Sequence, residues 1–364
     1  MLSMVALTGY RDKPTDGVVD YCNFLRLALA KRGVQLQVVA VPVDEQSWWP
    51  ALRRLWRQAG GWRGCWVLLQ YTALAWSRRG FPFLTLAALA ILRMRGARCA
   101  IVFHEPGGLD GPRAIDHMRC RFQNWTVRTL HRFSSKSVFT VPLETILWRR
   151  HAPNNSAFIP LGANIPENLA DRVITGNSEA PKTVVVFCVS EPPYRQQEVE
   201  DISSATRAVA ASAGIKLRVI FVGRGTLEAN NEINRAFEGS QIEVCNRGLL
   251  EAEEITRIFS ESHAMLAVRG KLYLRRASAL AGIACGLPII GYAGAAQGTI
   301  IEEAGVTLVP FGDRETLSKA LRDILTKPTL WQEMHEKNVR VQQQYLSWDA
   351  LATSYIEFFA ESSA

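Results

Sequence analysis

The sequence predicts an α/β protein made of two tandem domains, each with a parallel β-sheet between layers of helices. Three observations support this fold class. The 364 residues are 48% hydrophobic, which is enough for two domains with separate cores. Strand and helix patterns alternate along the chain, as is typical of parallel sheets. The alternation lapses once, over the polar residues 163–182 with their two prolines, and then restarts.

The first half of the pattern begins with a buried strand over residues 4–9. A helix follows, with Asp16 as its N-cap and Gly33 after its last turn. The apolar stripe of this helix is Val18, Tyr21, Leu25, Ala28 and Leu29. Further strands are predicted at residues 34–41, 65–71, 99–105, 136–142 and 156–162.

The second half repeats this organisation. Its strands are predicted at residues 183–190, 217–223, 242–246, 264–268 and 287–292. The chain closes on an amphipathic helix whose aromatic residues need a partner surface: Trp348, Tyr355, Phe358 and Phe359. The expected domains are residues 1–165 and residues 166–345, followed by a C-terminal helix over residues 346–364 that packs back on the first domain.

Polar residues follow several of these strands. Ligands of open parallel sheets bind at the carboxyl ends of the strands, so two Rossmann-like domains facing each other would direct these residues into one cleft. The polar strand ends are residues 8–10, 70–71, 104–105, 223–225 and 269–271.

Charge and tryptophan are concentrated in the first domain. Residues 1–160 contain 22 Lys and Arg against 9 Asp and Glu, whereas the remainder contains 20 against 25. Eight of the ten tryptophans also lie in residues 1–160. Such a composition suits contact with an anionic membrane surface, and it equally suits a globular domain that buries its tryptophans and solvates its arginines. No nucleic-acid-binding motif accompanies the basic half, which disfavours a nucleic-acid partner.

The strongest candidate for a membrane span is the stretch of residues 66–92. Arg78, Arg79 and Pro82 divide it into uncharged runs of 12 and 13 residues, shorter than the roughly 20 that a spanning helix needs. We expect a strand, a loop and a buried helix instead. The first ten residues lack the order of a signal peptide.

The cysteines indicate a reducing compartment. There are seven, an odd number, and none are spaced as Cys-x-x-Cys. This favours reduced thiols in a cytoplasmic protein, with the inner membrane face as a further location, and disfavours a zinc site or a disulfide framework.

The loop before a predicted helix near residue 277 is rich in cations: Arg269, Lys271, Arg275 and Arg276. Cations at a helix N-terminus oppose the helix dipole and cost stability unless an anion is present. Arginine and helix N-terminal amides together bind phosphate, and Ser278 can cap the helix or contact that phosphate. The loop therefore favours a diphosphate site; the alternative is that Arg275 and Arg276 merely solvate a helix start.

Several segments resemble the GT-B glycosyltransferases, specifically family 4. The sequence ALAGIACGLPIIG, residues 279–291, is similar to the family's EAMACGlPVIa, and VIFVGRGT, residues 219–226, is similar to ivGdGp. FHEP, residues 103–106, matches the place of the family's His-Asp or His-Glu, and FIPLGANI, residues 158–165, resembles ipnGvd. The resemblance covers nearly the whole chain and implies two Rossmann-like domains, with a C-terminal helix that crosses back to the first.

The sequence departs from the family at two places. The family's two carboxylates, spaced Glu-x7-Glu, fall on Tyr273 and Ala281. Its diphosphate-binding Arg falls on Ser190, and Arg195 lies one residue beyond the usual Lys. We expect the cations around residues 269–276 to compensate.

The residues and the resemblance together assign candidate roles. His104 and Glu105 are the candidate catalytic pair, orienting the sugar or the acceptor hydroxyl, although an isolated histidine is more often structural. The candidate donor-binding residues are Gly17, Arg195, Arg224, Arg269, Lys271, Arg276 and Ser278. The alternative role of Gly17, Gly223 and Gly225 is structural, because glycine is also common in ordinary turns. Gly248 and Leu249 are candidate base contacts on resemblance alone.

The expected function is a retaining, metal-independent transfer of a sugar from a nucleoside-diphosphate sugar, without cofactor, to a glycan or lipid-linked glycan in polysaccharide biosynthesis. The sequence has no Walker loop, no Gly-x-Ser-x-Gly elbow and no His-Glu-x-x-His motif. One alternative is a non-catalytic binding protein derived from a glycosyltransferase. The other is a nucleotide-sugar epimerase or hydrolase of the same fold.

Overall fold

The structure is a computed structural model that describes residues 3–9, 17–42, 48–77, 79–109, 111–146, 155–169, 180–273, 276–294 and 299–360. The chain divides into two compact units. Unit 1 comprises Met1–Leu161 together with Trp348–Ala364, and unit 2 comprises Gly162–Ser347. All seven cysteines are free thiols.

Each unit contains one six-stranded parallel sheet. The strands of unit 1 are β1 (Ser3–Gly9), β2 (Gln35–Val41), β3 (Trp66–Tyr71), β4 (Arg98–Phe103), β5 (Lys136–Phe139) and β6 (Ser156–Phe158). Those of unit 2 are β7 (Lys182–Phe187), β8 (Leu217–Val222), β9 (Glu243–Gly248), β10 (Ala264–Lys271), β11 (Ile289–Tyr292) and β12 (Val306–Val309). The predicted fold class, two Rossmann-like α/β domains, is therefore confirmed.

Helices cover both sheets. The helices before unit 2 are α1 (Gly17–Lys31), α2 (Trp48–Gln58), α3 (Phe83–Met94) and α4 (Ala114–Phe133). Unit 2 contains α5 (Arg195–Ala213), α6 (Asn230–Phe237), α7 (Ala252–Glu261), α8 (Ala277–Ala284), α9 (Thr299–Glu303), α10 (Arg314–Thr326) and α11 (Pro328–Val341). The last helix, α12 (Trp348–Ala360), belongs to unit 1.

The two faces of the unit 1 sheet have different covers. Helices α2, α3 and α4 pack on one face, and α1 and α12 pack on the other. On the second face, the hydroxyls of Tyr21 and Tyr355 are hydrogen-bonded at 2.9 Å, and Trp348 stacks on Phe24 with ring centroids 5.2 Å apart. The aromatic stripe of α12 thus completes a core built from the other end of the chain.

The strand orders locate the ligand-binding edge of each sheet. The order in unit 1 is β2-β1-β3-β4-β5-β6, so the direction of winding reverses between β1 and β3. The order in unit 2 is β12-β11-β10-β7-β8-β9, with the reversal between β7 and β10. A crevice opens at the carboxyl ends of the strands at such a topological switch point.

The strand β12 is absent from the sequence prediction. It has four residues, three of them half-buried, so its pattern is too short and too weak to distinguish from a loop. The apolar stretch of residues 66–92 contains β3 and most of α3, the strand and the helix that were expected. Among the described residues, no helix has both the length and the apolar composition needed to cross a bilayer.

Candidate functional site

A cavity of about 580 Å³ lies at the switch point of unit 2. It is formed by the loop after β7 and the start of α5 on one side, and by the end of β10 and the start of α8 on the other. The polar side chains lining it include Ser190, Glu198, Asp201, Arg269, Arg276 and Tyr292. Two of the predicted donor residues, Arg269 and Arg276, are therefore brought together.

An irregularity in β10 positions these arginines. The pairing of β10 with β11 shifts register between Ala267 and Lys271, so the strand bulges at this edge. Gly270 lies in the bulge with φ of 64°, a conformation that favours glycine. A Cβ atom at this position would lie 3.5 Å from Nη2 of Arg276, so the guanidinium of Arg276 packs directly over the bulge.

Arg276 also begins α8. It is the extended N-cap residue: its amide donates to the carbonyl of Tyr273 at 2.9 Å, and its carbonyl accepts from Leu280 at 3.2 Å. The first turn of α8 contains no acidic residue. The cavity therefore combines two guanidinium groups with the positive end of a helix dipole, an arrangement that stabilises a bound anion.

Glu198 places a carboxylate in the same cavity. It lies in the first turn of α5 and is 4% exposed. One carboxylate oxygen, Oε2, accepts the amide hydrogen bond of Ser190 at 2.8 Å. The other oxygen, Oε1, is enclosed and has no hydrogen-bond partner among the described residues. Burial raises the pKa of this carboxyl above its usual value, opposed first by hydrogen bonding from Ser190 and then by the positive charges of Arg269 and Arg276.

A second carboxylate, Asp201, is fully engaged. Its Oδ2 accepts from the hydroxyl of Tyr292 at 2.6 Å, and its Oδ1 accepts from Nε of Arg314 at 2.6 Å. Burial, followed by the hydrogen bond to Asp201, raises the pKa of Tyr292. This saturated network ties α5, β11 and α10 together and forms a rigid side of the cavity.

Arg195 does not face the cavity. Its Nε donates to the carbonyl of Ser190 at 3.1 Å, and its Nη1 donates to the carbonyl of Glu228 at 2.9 Å, with Glu232 3.7 Å away. The guanidinium joins the loop after β7 to the loop after β8. These bonds describe Arg195 as a residue that positions the two loops, and its predicted contact with phosphate stays a prediction.

The turn after β8 packs against the cavity loop. The carbonyl of Arg224 accepts from the amide of Val189 at 2.9 Å, whereas the Arg224 side chain is exposed and outside the cavity lining. A Cβ atom at Gly225 would lie only 2.3 Å from the carbonyl oxygen of Val189, so this turn requires glycine. Gly248 accepts a hydrogen bond from the amide of Gly223 at 2.7 Å, and Leu249 is 69% exposed.

The remaining donor candidates lie outside the cavity lining. Lys271 ends β10 and is exposed, and Ser278 is half-buried in the first turn of α8. Gly17 is the first residue of α1 in unit 1. Arg275, singled out with Arg276 in the sequence, lies outside the described residues. Of the two positions of the family carboxylates, Tyr273 is 36% exposed and Ala281 is 2% exposed.

The candidate catalytic histidine lies at the carboxyl edge of the unit 1 sheet. His104 follows β4, is 7% exposed, and its Nε2 lies 2.8 Å from Oε1 of Gln70 at the end of β3. Because the amide nitrogen of Gln70 donates to the carbonyl of Leu68 at 3.3 Å, its oxygen faces the histidine, and Nε2 carries the proton. The ring also contacts Tyr21 edge-on with centroids 5.1 Å apart.

Two enclosed polar atoms accompany His104. Oε2 of Glu105 and the hydroxyl of Tyr71 are buried and have no hydrogen-bond partner within the described part of the chain. Burial, with a smaller contribution from Glu105, raises the pKa of Tyr71. Unsatisfied polar groups are costly in a folded protein, so their presence at a strand edge favours a site that a polar ligand completes.

The sequence predictions missed Glu198 and Gln70. A carboxylate in the first turn of a helix that follows a strand at a switch point can be read from sequence, but the prediction weighed only the cations of that stretch. Gln70 was included only as part of a polar strand end, because nothing in the sequence pairs it with His104.

No protein-family model matches the chain, and no curated protein matches its sequence. Solved structures do resemble it over its full length. Sucrose-phosphate synthase from Thermosynechococcus elongatus has a TM-score of 0.67 at 16% identity, covering 100% of both chains. Anabaena HepE in complex with UDP and glucose has a TM-score of 0.65 at 12% identity, covering 99% of this chain and 100% of that one.

A putative UDP-N-acetylglucosamine 2-epimerase from Listeria monocytogenes is also similar. Its TM-score is 0.62 at 12% identity, with 100% of this chain and 98% of that chain covered. Identities this low support a shared fold and nothing finer. The chain has the GT-B fold of nucleotide-sugar glycosyltransferases, and an epimerase shares that fold.

Proposed function

We propose that the chain is a glycosyltransferase that moves a sugar from a nucleoside-diphosphate sugar to a hydroxyl of a glycan or lipid-linked glycan. The transfer retains the anomeric configuration and uses no metal ion. The observation that carries the proposal is the pair of arginines, Arg269 and Arg276, in a cavity at the switch point of unit 2 and at the N-terminus of α8.

The arginine pair supplies what the leaving group requires. When the bond between the anomeric carbon and the diphosphate oxygen breaks, negative charge grows on that oxygen. Guanidinium groups and helix N-terminal amides that are already in place stabilise this charge without reorganising. This is a role for Arg269 and Arg276, whose positions are fixed by the β10 bulge and the start of α8.

Glu198 is proposed to replace the carboxylates that the sequence lacks at Tyr273 and Ala281. Its Oε1 has no hydrogen-bond partner among the described residues, and the side chain lines the cavity beside both arginines. A carboxylate oxygen of this kind accepts hydrogen bonds from hydroxyl groups. We assign it to a hydroxyl of the donor's ribose or sugar.

His104 and Glu105 are proposed to act on the acceptor side. With Nε2 of His104 bonded to Gln70, the histidine is held in one tautomer, and Glu105 keeps an enclosed carboxylate oxygen beside it. Such a pair can orient a hydroxyl and take up part of its proton as the new bond forms.

Calorimetric titration with UDP, GDP, ADP, dTDP and CMP, followed by the corresponding sugar forms, tests the donor class. UDP is the first probe because the HepE structure contains it. We expect one nucleoside diphosphate to bind, and its sugar form to be consumed when an acceptor is supplied. Binding without turnover would instead favour a non-catalytic binding protein, and no binding by any nucleotide would contradict the proposal.

The double substitution Arg269→Ala with Arg276→Ala tests the site itself. Each charge-assisted hydrogen bond contributes about 1.5–3 kcal/mol, so we expect diphosphate affinity to fall by roughly 100-fold or more. The matched control is Arg235→Ala, an exposed arginine on α6 of the same unit and outside the cavity lining. If both variants bind alike, the anion site is elsewhere.

Epimerisation of a nucleotide sugar is the second candidate function. It is favoured by the full-length similarity to the putative UDP-N-acetylglucosamine 2-epimerase. Incubation of the donor without an acceptor separates the two functions, because an epimerase converts the sugar to its epimer whereas a transferase leaves the sugar's configuration unchanged. A product with an inverted sugar carbon would favour the epimerase.

A further inference from the structure

One face of unit 1 carries a positive charge that its own sequence does not neutralise. Residues 46–104 contain nine arginines and no aspartate or glutamate. Helices α2 and α3 lie within this stretch, and they pack on the same face of the sheet as α4. Three arginines of α2 and three of α4 are exposed, at positions 53, 54, 57, 121, 128 and 132. The outward side of these helices is therefore cationic, which attracts anionic partners.

Helix α2 presents arginine and tryptophan side by side. Its buried residues are Ala51 and Leu55. At 3.6 residues per turn, the opposite face, an arc of about 100°, contains Trp49, Arg53, Trp56 and Arg57. Trp49 is 64% exposed and Trp56 is 40% exposed. Arg53 and Arg57 are exposed and have no ion pair in the described portion of the structure.

Aromatic contacts continue this surface from α3 to α4. Phe83, at the start of α3, is 59% exposed, and its ring centroid lies 4.3 Å from that of Phe122 on α4. Trp125 lies 5.4 Å from Phe122 and is 52% exposed. Met118, one turn before Phe122, is 55% exposed. Large apolar side chains are thus exposed together on three neighbouring helices, which marks an interaction surface.

We propose that the outward face of α2, α3 and α4 binds the surface of a bilayer that contains anionic phospholipids. Such a surface offers phosphate groups to arginine and an apolar boundary to tryptophan at headgroup level. Interleaved arginine and tryptophan match both features at once. Nucleic acid would satisfy the arginines and leave Met118 without an apolar partner, and an acidic protein surface would leave the exposed rings in contact with charge.

This inference goes beyond the proposed sugar transfer, because the face shares no residue with the cavity of unit 2. Its test is flotation of the full-length protein with vesicles, in the absence of nucleotide. We expect the protein to float with vesicles of phosphatidylcholine and phosphatidylglycerol and to remain unbound with phosphatidylcholine alone. Binding should weaken at high salt because exposed charges are screened. No flotation, or equal flotation with both vesicle types, would overturn the proposal.

Paired variants locate the surface. Arg53→Glu with Arg57→Glu should reduce partitioning roughly 30-fold or more, because each arginine near an anionic surface contributes about a fivefold factor. Arg235→Glu with Arg340→Glu, on exposed helix positions of unit 2, changes the net charge equally and should have less than about a threefold effect. If both pairs of variants lose vesicle partitioning equally, the effect comes from net charge alone. That result would contradict the assignment of binding to the outward face of α2, α3 and α4.

The tryptophans are tested separately. Trp49→Ser with Trp56→Ser should weaken partitioning by about tenfold while thermal unfolding stays near that of the wild type, since both indoles are exposed. Unchanged partitioning would contradict the interfacial role of the rings. If the protein binds duplex DNA more tightly than anionic vesicles at equal phosphate concentration, the proposal that this face binds lipid is overturned. The same variants are also titrated with nucleotide. Unchanged nucleotide affinity would show that a loss of vesicle binding does not come from damage to the donor site of unit 2.

Discussion

The two switch points of this chain share a topology and differ in charge. In unit 2, the point between β7 and β10 holds Arg269, Arg276 and the buried Glu198 in one cavity. In unit 1, the polar pair Gln70 and His104 lies at the ends of β3 and β4, beside the reversal between β1 and β3. The parallel sheets therefore determine where a ligand can bind, and the few residues after each strand determine which ligand chemistry is favoured.

The difference also shows in how polar groups are satisfied. In unit 2, the positive charges of Arg269 and Arg276 lie beside the enclosed Oε1 of Glu198. This arrangement suits a ligand that carries both an anionic group and hydroxyl groups. Unit 1 fixes a histidine through an amide and encloses Oε2 of Glu105 and the hydroxyl of Tyr71. That edge suits an uncharged hydroxyl. This contrast supports the donor and acceptor roles that we propose for the two edges.

Substitution His104→Ala should have the largest effect, and it should fall on turnover and not on donor affinity. We expect turnover of the identified donor to fall by about 10²–10⁴-fold, because general acid–base groups contribute on this scale. Donor affinity should be unchanged, since His104 belongs to the other unit. Steady-state kinetics and calorimetry measure the two effects, with His117→Ala, exposed on α4, as the control. Loss of donor affinity with unchanged turnover would reverse the assignment of the two edges.

Substitution Gly270→Ala should weaken diphosphate binding by about tenfold. Alanine at a positive φ costs roughly 1–2 kcal/mol, and the added Cβ atom would contact the guanidinium of Arg276. Gly312→Ala provides the matched control, because Gly312 also has a positive φ, of 78°, but no atom lies within 4 Å of its added Cβ. The two variants should lose similar stability, and only Gly270→Ala should lose affinity. Equal affinities would exclude the bulge from the binding site.

Substitution Glu198→Gln tests the carboxylate of unit 2 through its effect on stability at different pH. Burial raises the pKa of Glu198, so the stability linked to its protonated form is fully present below the usual carboxyl pKa. That stability is lost as pH rises through the raised value. Glutamine does not titrate, so the Tm of the variant relative to the wild type should be higher at pH 8 than at pH 4.5. A pH-independent difference would contradict a raised pKa.

The same variant should bind the nucleotide sugar more weakly, by about tenfold, because a hydrogen bond to a charged acceptor is replaced. A gain in stability together with a loss of affinity is the usual sign of a residue retained for function. Weaker binding together with lower stability at every pH would favour a purely structural role for Glu198 in the loop after β7.

Sequence alone indicated the arginines of unit 2 because cations at a helix start are unfavourable unless an anion is present. The position of Glu198 in a first helical turn was readable from sequence but did not point to a ligand, since a carboxylate there is favourable with or without one. For Arg195, the sequence predicted a phosphate contact but could not show that the carbonyls of Ser190 and Glu228 converge on its guanidinium. Long strands were predictable from apolar runs, whereas the four residues of β12, three of them half-buried, were not.

The position of α12 has a consequence for the order in which the chain can fold during synthesis. Unit 2 is one continuous segment, Gly162–Ser347, and all of it leaves the ribosome before Trp348 does. The core face of unit 1 that Tyr355 and Phe359 fill stays incomplete until α12 is made. Translation of unit 1 therefore begins before that of unit 2, but the core of unit 1 is completed later. A transcript truncated before Trp348 would leave unit 1 without α12 while unit 2 keeps all of its residues.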